Sequence, residues 1–213
     1  MSEVMSFDPG RKLNWQLMID VAQLGYLDGP GPTIDVTHNI GRFWSEGAAG
    51  LQPPPGCRFD IDPAFVETHQ TKVADFRNLP LPDACVGSLV IDPPFKLNGS
   101  TSGRGPSRLD VGYDVEEYRS PSQIMDLIRA GIDEAGRVVV RGGFCLMKCM
   151  LQINASRVHD QPGDAARYAV DSGRWRHIGS MHVASGTRPQ PRKQKTPRNN
   201  YSTLVCLQRT RRA

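Results

Sequence analysis

Four consecutive residues, Asp92-Pro93-Pro94-Phe95, stand directly after the apolar run Cys85 to Ile91 (CVGSLVI). Two adjacent prolines offer no N–H to a sheet ladder, so a strand must end here and leave in a stiff, extended exit. That exit fixes the directions of the Asp92 carboxylate and the neighbouring carbonyls. Acceptors held this way suit an aromatic amine, which is a poor nucleophile because its lone pair is delocalised into the ring. Accepting hydrogen bonds from both N–H groups favours a pyramidal nitrogen and aims its lone pair at a methyl donor. Asp92 Oδ and the Pro93 carbonyl are the candidate acceptors, Pro94 stiffens the exit, and Phe95 offers a face for a base. The plainer reading is a strand ending in a proline turn with an incidental aspartate.

Three further clusters have the chemistry of a nucleotide-like cofactor site. Thr33 to Trp44 (TIDVTHNIGRFW) reads as a strand, a tight polar turn and a helix start, with Asp35, Thr37, His38, Asn39 and Gly41 at the turn. With a single glycine, the turn relies on Asn39, the next-best residue for a left-handed backbone. Asp60-Ile61-Asp62-Pro63 places acids at the end of a second strand, where a carboxylate can bind ribose hydroxyls. In Ala74-Asp75-Phe76 an aspartate can accept an adenine amine. Each acid also reads simply as a surface group ending a strand.

The elements that must carry these residues form a series of short β-type runs separated by turns or helical stretches, as in a parallel-sheet α/β domain. Strands are expected at Pro32 to Thr37, Arg58 to Ile61, Thr71 to Ala74, Cys85 to Ile91, Phe144 to Met150, Trp175 to Val183 and Tyr201 to Leu207. Ser120-Pro121 begins a helix, serine as N-cap and proline in the first turn, ending near Arg137. Its apolar residues Ile124, Leu127, Ile128 and Ile132 share one face. The expectation is one domain over 1–213, with an N-terminal extension or helix at 1–31, a mobile glycine-rich loop at 96–113 and a basic loop at 186–200.

The 213 residues carry 26 Lys+Arg against 22 Asp+Glu, too even a balance to identify a polyanionic partner by itself. The distribution is more informative: from Arg188 to Arg212 there are eight cations and no acid, a segment suited to phosphate, or else a solvated tail. The five cysteines show no CxxC pair and read as small buried hydrophobes, not as a disulfide frame or zinc site. No His pair has metal-ligand spacing, so no metal is expected, and the five histidines read as surface or satisfied core residues. No apolar run approaches the roughly 20 residues that span a bilayer, and no signal core opens the chain, so a cytoplasmic location is expected.

In order and spacing, TIDVT…GRFW, DIDP and ADF…LPLPDACVGSLVIDPPFKLNG resemble the class I S-adenosylmethionine-dependent amino-methyltransferases. The likeness is to small phage and actinobacterial DNA-methylase-like proteins, which carry a DPPY or DPPF site, and it extends through TRPQP…PRNNYSTLVCL. It implies a doubly wound, Rossmann-like sheet, mostly parallel, with the last strand inserted antiparallel. It also implies S-adenosylmethionine as cofactor: Asp35, Thr37, His38, Asn39 and Gly41 beside its methionine part, Asp60 or Asp62 at its ribose, and Asp75 with Phe76 at its adenine. Asp92, Pro93, Pro94 and Phe95 would hold the target amine. Adenine-N6 in DNA is the first expected target and an RNA base the alternative, with Lys96, Asn98, Arg104, Arg192, Lys193, Lys195, Arg198 and Asn199 toward the nucleic acid. Lys148, like Asn199, sits at a recurrent position of the likeness with no chemical step assigned. Where the family has an aromatic and a glycine, this chain has His38 and Asn39, which implies crowding near the cofactor carboxylate and an alternative in which cofactor affinity is impaired. A small-molecule methyltransferase is a further alternative.

Overall fold

The structure is a computed structural model, which describes residues 13–94, 120–154, 157–184 and 199–210. Phe95, Lys96, Asn98, Arg104, Arg192, Lys193, Lys195 and Arg198 lie outside the described residues, as do the expected loop at 96–113 and residues 186–198 of the basic loop.

Five strands form the central sheet, in the order β1 (Thr33–Asp35), β4 (Val86–Ile91), β5 (Val139–Cys149), β9 (Tyr201–Arg209), β8 (Trp175–Ala184). β1, β4 and β5 are parallel; β9 is inserted antiparallel to both β5 and β8. Beyond β1 a parallel bridge between Asp35 and Arg58 leads to β2 (Phe59–Asp60), which pairs parallel with β3 (Lys72–Val73). The chain thus leaves β1 in one direction for β2 and β3, then returns to its other side as β4. Crevices at such a reversal, outside the carboxyl ends of the strands, are where ligands bind in open α/β sheets.

All six residues of β4 are buried, the pattern of a strand covered on both faces. On one face lies helix α3 (Pro121–Val138), started by a capping box: Ser120 Oγ accepts the Gln123 N–H at 3.3 Å and Gln123 Oε1 accepts the Ser120 N–H at 2.7 Å. Its Ile124, Ile128 and Ile132 are fully buried against Leu89, Ile91, Cys145 and Met147, alongside helix α4 (Gln161–Asp171). On the other face, helix α1 (Asn14–Gln23) buries Leu17, Met18 and Val21 with Phe43, Trp44, Val90, Leu146 and Leu204. A short helix α2 (Phe65–His69) links β2 to β3. Next to the amino end of β4, Gly29 and Gly87 are backbone against backbone: a Cβ on Gly29 would collide with the Gly87 carbonyl.

The structure extends three of the expected strands, β5 most of all, and adds three elements after it. β5 begins at Val139, five residues before the expected Phe144. After β5 the chain folds a hairpin, β6 (Leu151–Asn154) with β7 (Arg157–Asp160), and then α4, where no element was expected. Cys145, Cys149 and Cys206 are buried, Cys57 and Cys85 partly so, and all five are free thiols. Among the described residues no helix is long and apolar enough to cross a membrane, and no group of three His, Cys, Asp or Glu side chains is placed to hold a metal.

Candidate active site

The loop leaving β1 is built around a buried carboxylate. Asp35 has no exposure; its Oδ1 accepts the Thr37 N–H at 3.1 Å, and its Oδ2 meets His38 Nδ1 at 3.1 Å and accepts Trp44 Nε1–H at 2.7 Å. A carboxylate removed from water in this way is tolerable only with such donors in place. A ligand outside the loop therefore meets the backbone that Asp35 shapes, not its carboxylate. His38 is also buried, and Gln52 Nε2 lies 3.2 Å from its Nε2. With Gln52 as donor, the ring carries its proton on Nδ1 and donates it in a hydrogen bond to Asp35 Oδ2. The histidine is thus a satisfied core residue that staples the loop to the following segment.

Asn39 adopts a left-handed φ of 48° and Gly41 one of 72°. The asparagine folds onto its own backbone, Oδ1 accepting the Ile40 N–H at 2.8 Å, and its N–H donates to Asp60 Oδ2 at 2.7 Å. A Cβ on Gly41 would lie 3.2 Å from His38 Nε2, so both the φ and the close approach call for glycine.

Asp60 and Asp62 differ in what they have left to offer. Asp60 is nearly buried and accepts two backbone N–H groups, from Asn39 and from Asp62 at 3.0 Å. Burial pushes its carboxyl above the usual aspartate range, with Asp35 and Asp62 adding like-charge repulsion against those two hydrogen bonds. Asp62 is half-buried and its Oδ1 accepts the Ala64 N–H at 2.8 Å. Asp75 is engaged by Arg77 through a bidentate guanidinium pair and by the Arg77 N–H, which together hold its carboxyl below the usual range. Phe76 points into the core: a Cβ on Gly131 would sit 3.0 Å from its ring. A stacking face for adenine is therefore not what its ring presents.

At the end of β4 the tetrapeptide meets the β1 loop directly. The Asp92 N–H donates to Thr37 Oγ1 at 2.6 Å, one residue after Val36 N–H bonds the Val90 carbonyl at 3.1 Å. Pro93 is buried, Asp92 and Pro94 half-buried. From β5, Lys148 Nζ reaches Asp92 Oδ2 at 3.0 Å, with both side chains largely buried, and lies 5.4 Å from the centroid of the Phe43 ring. The ammonium is thus held between a carboxylate and an aromatic face. Sequence reading noted Lys148 without a partner; its alternation with buried Met147 and Cys149 in a strand beside β4 was the available signal. Asn199 instead ties backbone together, its Nδ2 donating to the Leu151 and Tyr201 carbonyls at 3.1 Å each.

The structure thus gathers Asp35, Thr37, His38, Asn39, Gly41, Asp60 and Asp92 into one hydrogen-bonded set around the ends of β1, β2 and β4. It leaves Asp75 paired with Arg77 and Phe76 in the core.

No protein-family model matches the sequence, and no curated protein does. Solved structures do match. A Thermoplasma acidophilum protein aligns with a TM-score of 0.55 at 16% identity, over 93% of this chain and 89% of its own. An S-adenosylmethionine-dependent methyltransferase from Methanosarcina mazei aligns with a TM-score of 0.50 at 11% identity, over 89% and 97%. TrmN from Thermus thermophilus aligns with a TM-score of 0.50 at 15% identity over 92% of this chain, which spans about half of TrmN (48%). Identities this low speak for architecture alone. The chain has the Rossmann-like methyltransferase fold, its sheet mostly parallel with the last strand inserted antiparallel.

Proposed function

We propose that this chain is an S-adenosylmethionine-dependent methyltransferase acting on an exocyclic amino group of a nucleic-acid base, with adenine-N6 in DNA as first target. The observation that carries the reading is the 2.6 Å hydrogen bond from Asp92 N–H to Thr37 Oγ1, which joins the acceptor tetrapeptide to the β1 loop.

The residues present fit the cofactor. Its ribose diol suits the acids at the end of β2, Asp62 foremost because Asp60 already accepts two backbone N–H groups. Ile61, 63% exposed between them, offers apolar surface to a purine. The left-handed turn at Asn39 and Gly41 presents backbone beside the methionine part, with the Asn39 side chain folded back on Ile40. When bound, S-adenosylmethionine supplies an electrophilic methyl group on a sulfonium.

The chain's own groups then do the positioning. Lys148 holds Asp92 through Oδ2 and so orients the carboxylate beside the Pro93 carbonyl. Asp92 and the Pro93 carbonyl accept the two amine N–H groups and hold the nitrogen lone pair in line. Phe95 follows directly as the stacking residue for a base taken out of its duplex.

Mass spectrometry of nucleosides from DNA and RNA incubated with protein and isotope-labelled S-adenosylmethionine tests this. Labelled N6-methyladenine in DNA is the expected result; label only in free nucleosides would move the reading to a small-molecule enzyme. The occupied carboxylate of Asp60 favours a second reading, a nucleic-acid-binding protein of the same fold with impaired cofactor affinity. Calorimetry separates the two: absence of cofactor binding near millimolar concentration sinks the enzyme and leaves the binder.

A further inference from the structure

A small groove opens between the start of α4 and the strands β8 and β9. It is lined by Asp160, His177, Ser180, His182, Tyr201 and Thr203 among others and encloses about 160 Å³. Cofactor and drug pockets run to several hundred Å³, so this one takes a single ring-sized group.

Its walls suit a flat, neutral, hydrogen-bonding ring. Tyr201 is 40% exposed, and its ring meets that of His182 edge-on, with centroids 4.9 Å apart. His182 Nδ1 lies 3.0 Å from Thr203 Oγ1, and His177 Nε2 lies 3.0 Å from Ser180 Oγ. Asp160 caps α4 by accepting the Gly163 N–H at 3.1 Å. Hydroxyls and imidazoles both donate and accept, while the Asp160 carboxylate accepts amino N–H groups and repels phosphate. A nucleobase meets these conditions; a phosphate does not.

The sheet register places the groove near the candidate active site. Lys148, which holds Asp92, pairs with Leu204 on β9, and Tyr201 lies three residues further toward the carboxyl end of β5. Two strand spacings across and three residues along put the Tyr201 backbone about 14 Å from Asp92 within the sheet. That is about four base-pair rises of a duplex. The groove opens on the α4 face whereas Lys148 faces Phe43 on the α1 face, so a strand reaching both passes over the carboxyl edge of the sheet. Asn199 pins the Tyr201 carbonyl, so the ring stands on fixed backbone. The link between β8 and β9, residues 185–198, carries Arg188, Arg192, Lys193, Lys195 and Arg198 and no acid.

We propose that this groove binds a nucleobase of the substrate strand a few nucleotides from the target, stacked on Tyr201 and hydrogen-bonded to the His182–Thr203 and His177–Ser180 pairs. The inference rests on the reading of the chain as a nucleic-acid enzyme. It makes the groove a source of sequence preference separate from the target pocket.

The test is binding of short fluorescein-labelled DNA and RNA oligonucleotides, followed by anisotropy, with thermal melting as the control for folding. Tyr201→Ala should weaken binding roughly tenfold or more, and Tyr201→Phe should retain it, because the ring supplies the stacking. Photocrosslinking with iodouracil-substituted strands should map to Tyr201 or His182. Wild-type binding with a Tyr201→Ala variant within twofold of it overturns the groove and leaves the proposed function standing. A Phe variant as weak as the Ala variant overturns stacking, and crosslinks found solely elsewhere overturn the location. A wild-type protein that binds no oligonucleotide overturns the groove and the proposed function together.

Discussion

At the amino end of β4, Arg137 donates to both oxygens of Glu134, to Asp83 Oδ1 at 2.8 Å, and to the Leu81 and Leu79 carbonyls at 2.7 and 3.0 Å. Glu134 Oε1 also accepts the Leu79 N–H at 2.6 Å. At the carboxyl end of the same strand, Asp92 receives Lys148 and the acids Asp35, Asp60 and Asp62 crowd around the β1 and β2 exits. The first set closes on itself: its carboxylates drive the Arg137 guanidinium still further toward the charged form. The second gathers like charges against the cost of burial, relieved by backbone N–H groups. One strand thus separates a polar network that holds the fold from the one proposed to meet the ligands. Groups brought together against their electrostatic preference are those with chemistry to do.

Substitutions at the two ends should divide activity from stability. The largest effect is expected from Asp92→Asn, which keeps the shape but loses the charged acceptor: kcat/KM for base methylation, measured on the folded fraction, should fall by about 10²–10³, with a loss of stability as well because the buried Lys148 ammonium loses its counter-charge. Unchanged kcat/KM in the folded fraction would move Asp92 to the structural side of the comparison. Glu134→Ala should do the reverse, costing about 1–2 kcal/mol in urea unfolding by leaving the Leu79 N–H unpaired and loosening Arg137, which keeps Asp83 and two carbonyls, while the folded fraction keeps its kcat. Gly41→Ala lies between them. Its left-handed φ and the approach to His38 should cost about 1–2 kcal/mol and weaken cofactor binding.

The smallest effect is a difference in sign. Asp60 has a carboxyl raised by burial above the ordinary value of 3.8, so its contribution to stability is full below that value and lost as pH rises through the folded pKa. Asp75, lowered by Arg77, contributes above the ordinary value and loses its contribution as pH falls through the folded pKa. Urea titrations between acid and neutral pH should therefore show the wild type losing ground to Asp60→Asn as pH rises and gaining on Asp75→Asn. Each change should be on the order of 1 kcal/mol or less, the Asp75 pair being part-exposed. Parallel slopes would remove the electrostatic distinction between the two aspartates.

The strands up to β4 were legible as short β-type apolar runs between polar turns, β4 most sharply because Pro93 stops its ladder. The capping box of α3 was legible for a similar local reason. β5 was read short because Arg141-Gly142-Gly143 has the composition of a turn. In the sheet, Gly142 takes a φ of 83°, and Gly143 approaches Gly87 so closely that a Cβ would clash with its carbonyl. Glycine there serves contact between strands, which spacing along one strand does not reveal. Helix α4 was missed because Gln161-Pro162-Gly163 reads as a loop, although Asp160 before it is an N-cap and Pro162 is at home in a first turn. In the site, the acids were found by type, but their division of labour was not. That Asp35 turns inward, or that Arg77 claims Asp75, depends on side-chain direction and on a neighbour two residues away.

The Thr37–Asp92 hydrogen bond also bears on how the two substrates communicate. It joins the loop proposed for the methyl donor to the Asp92 backbone of the tetrapeptide proposed for the acceptor, so on that reading a ligand that orders one side lowers the conformational cost of filling the other. Thermodynamic linkage makes that help mutual: whatever factor the donor contributes to acceptor affinity, the acceptor returns to the donor. On the proposed function, ternary-complex formation is cooperative, and the two substrates share one coupling free energy through a single threonine hydroxyl.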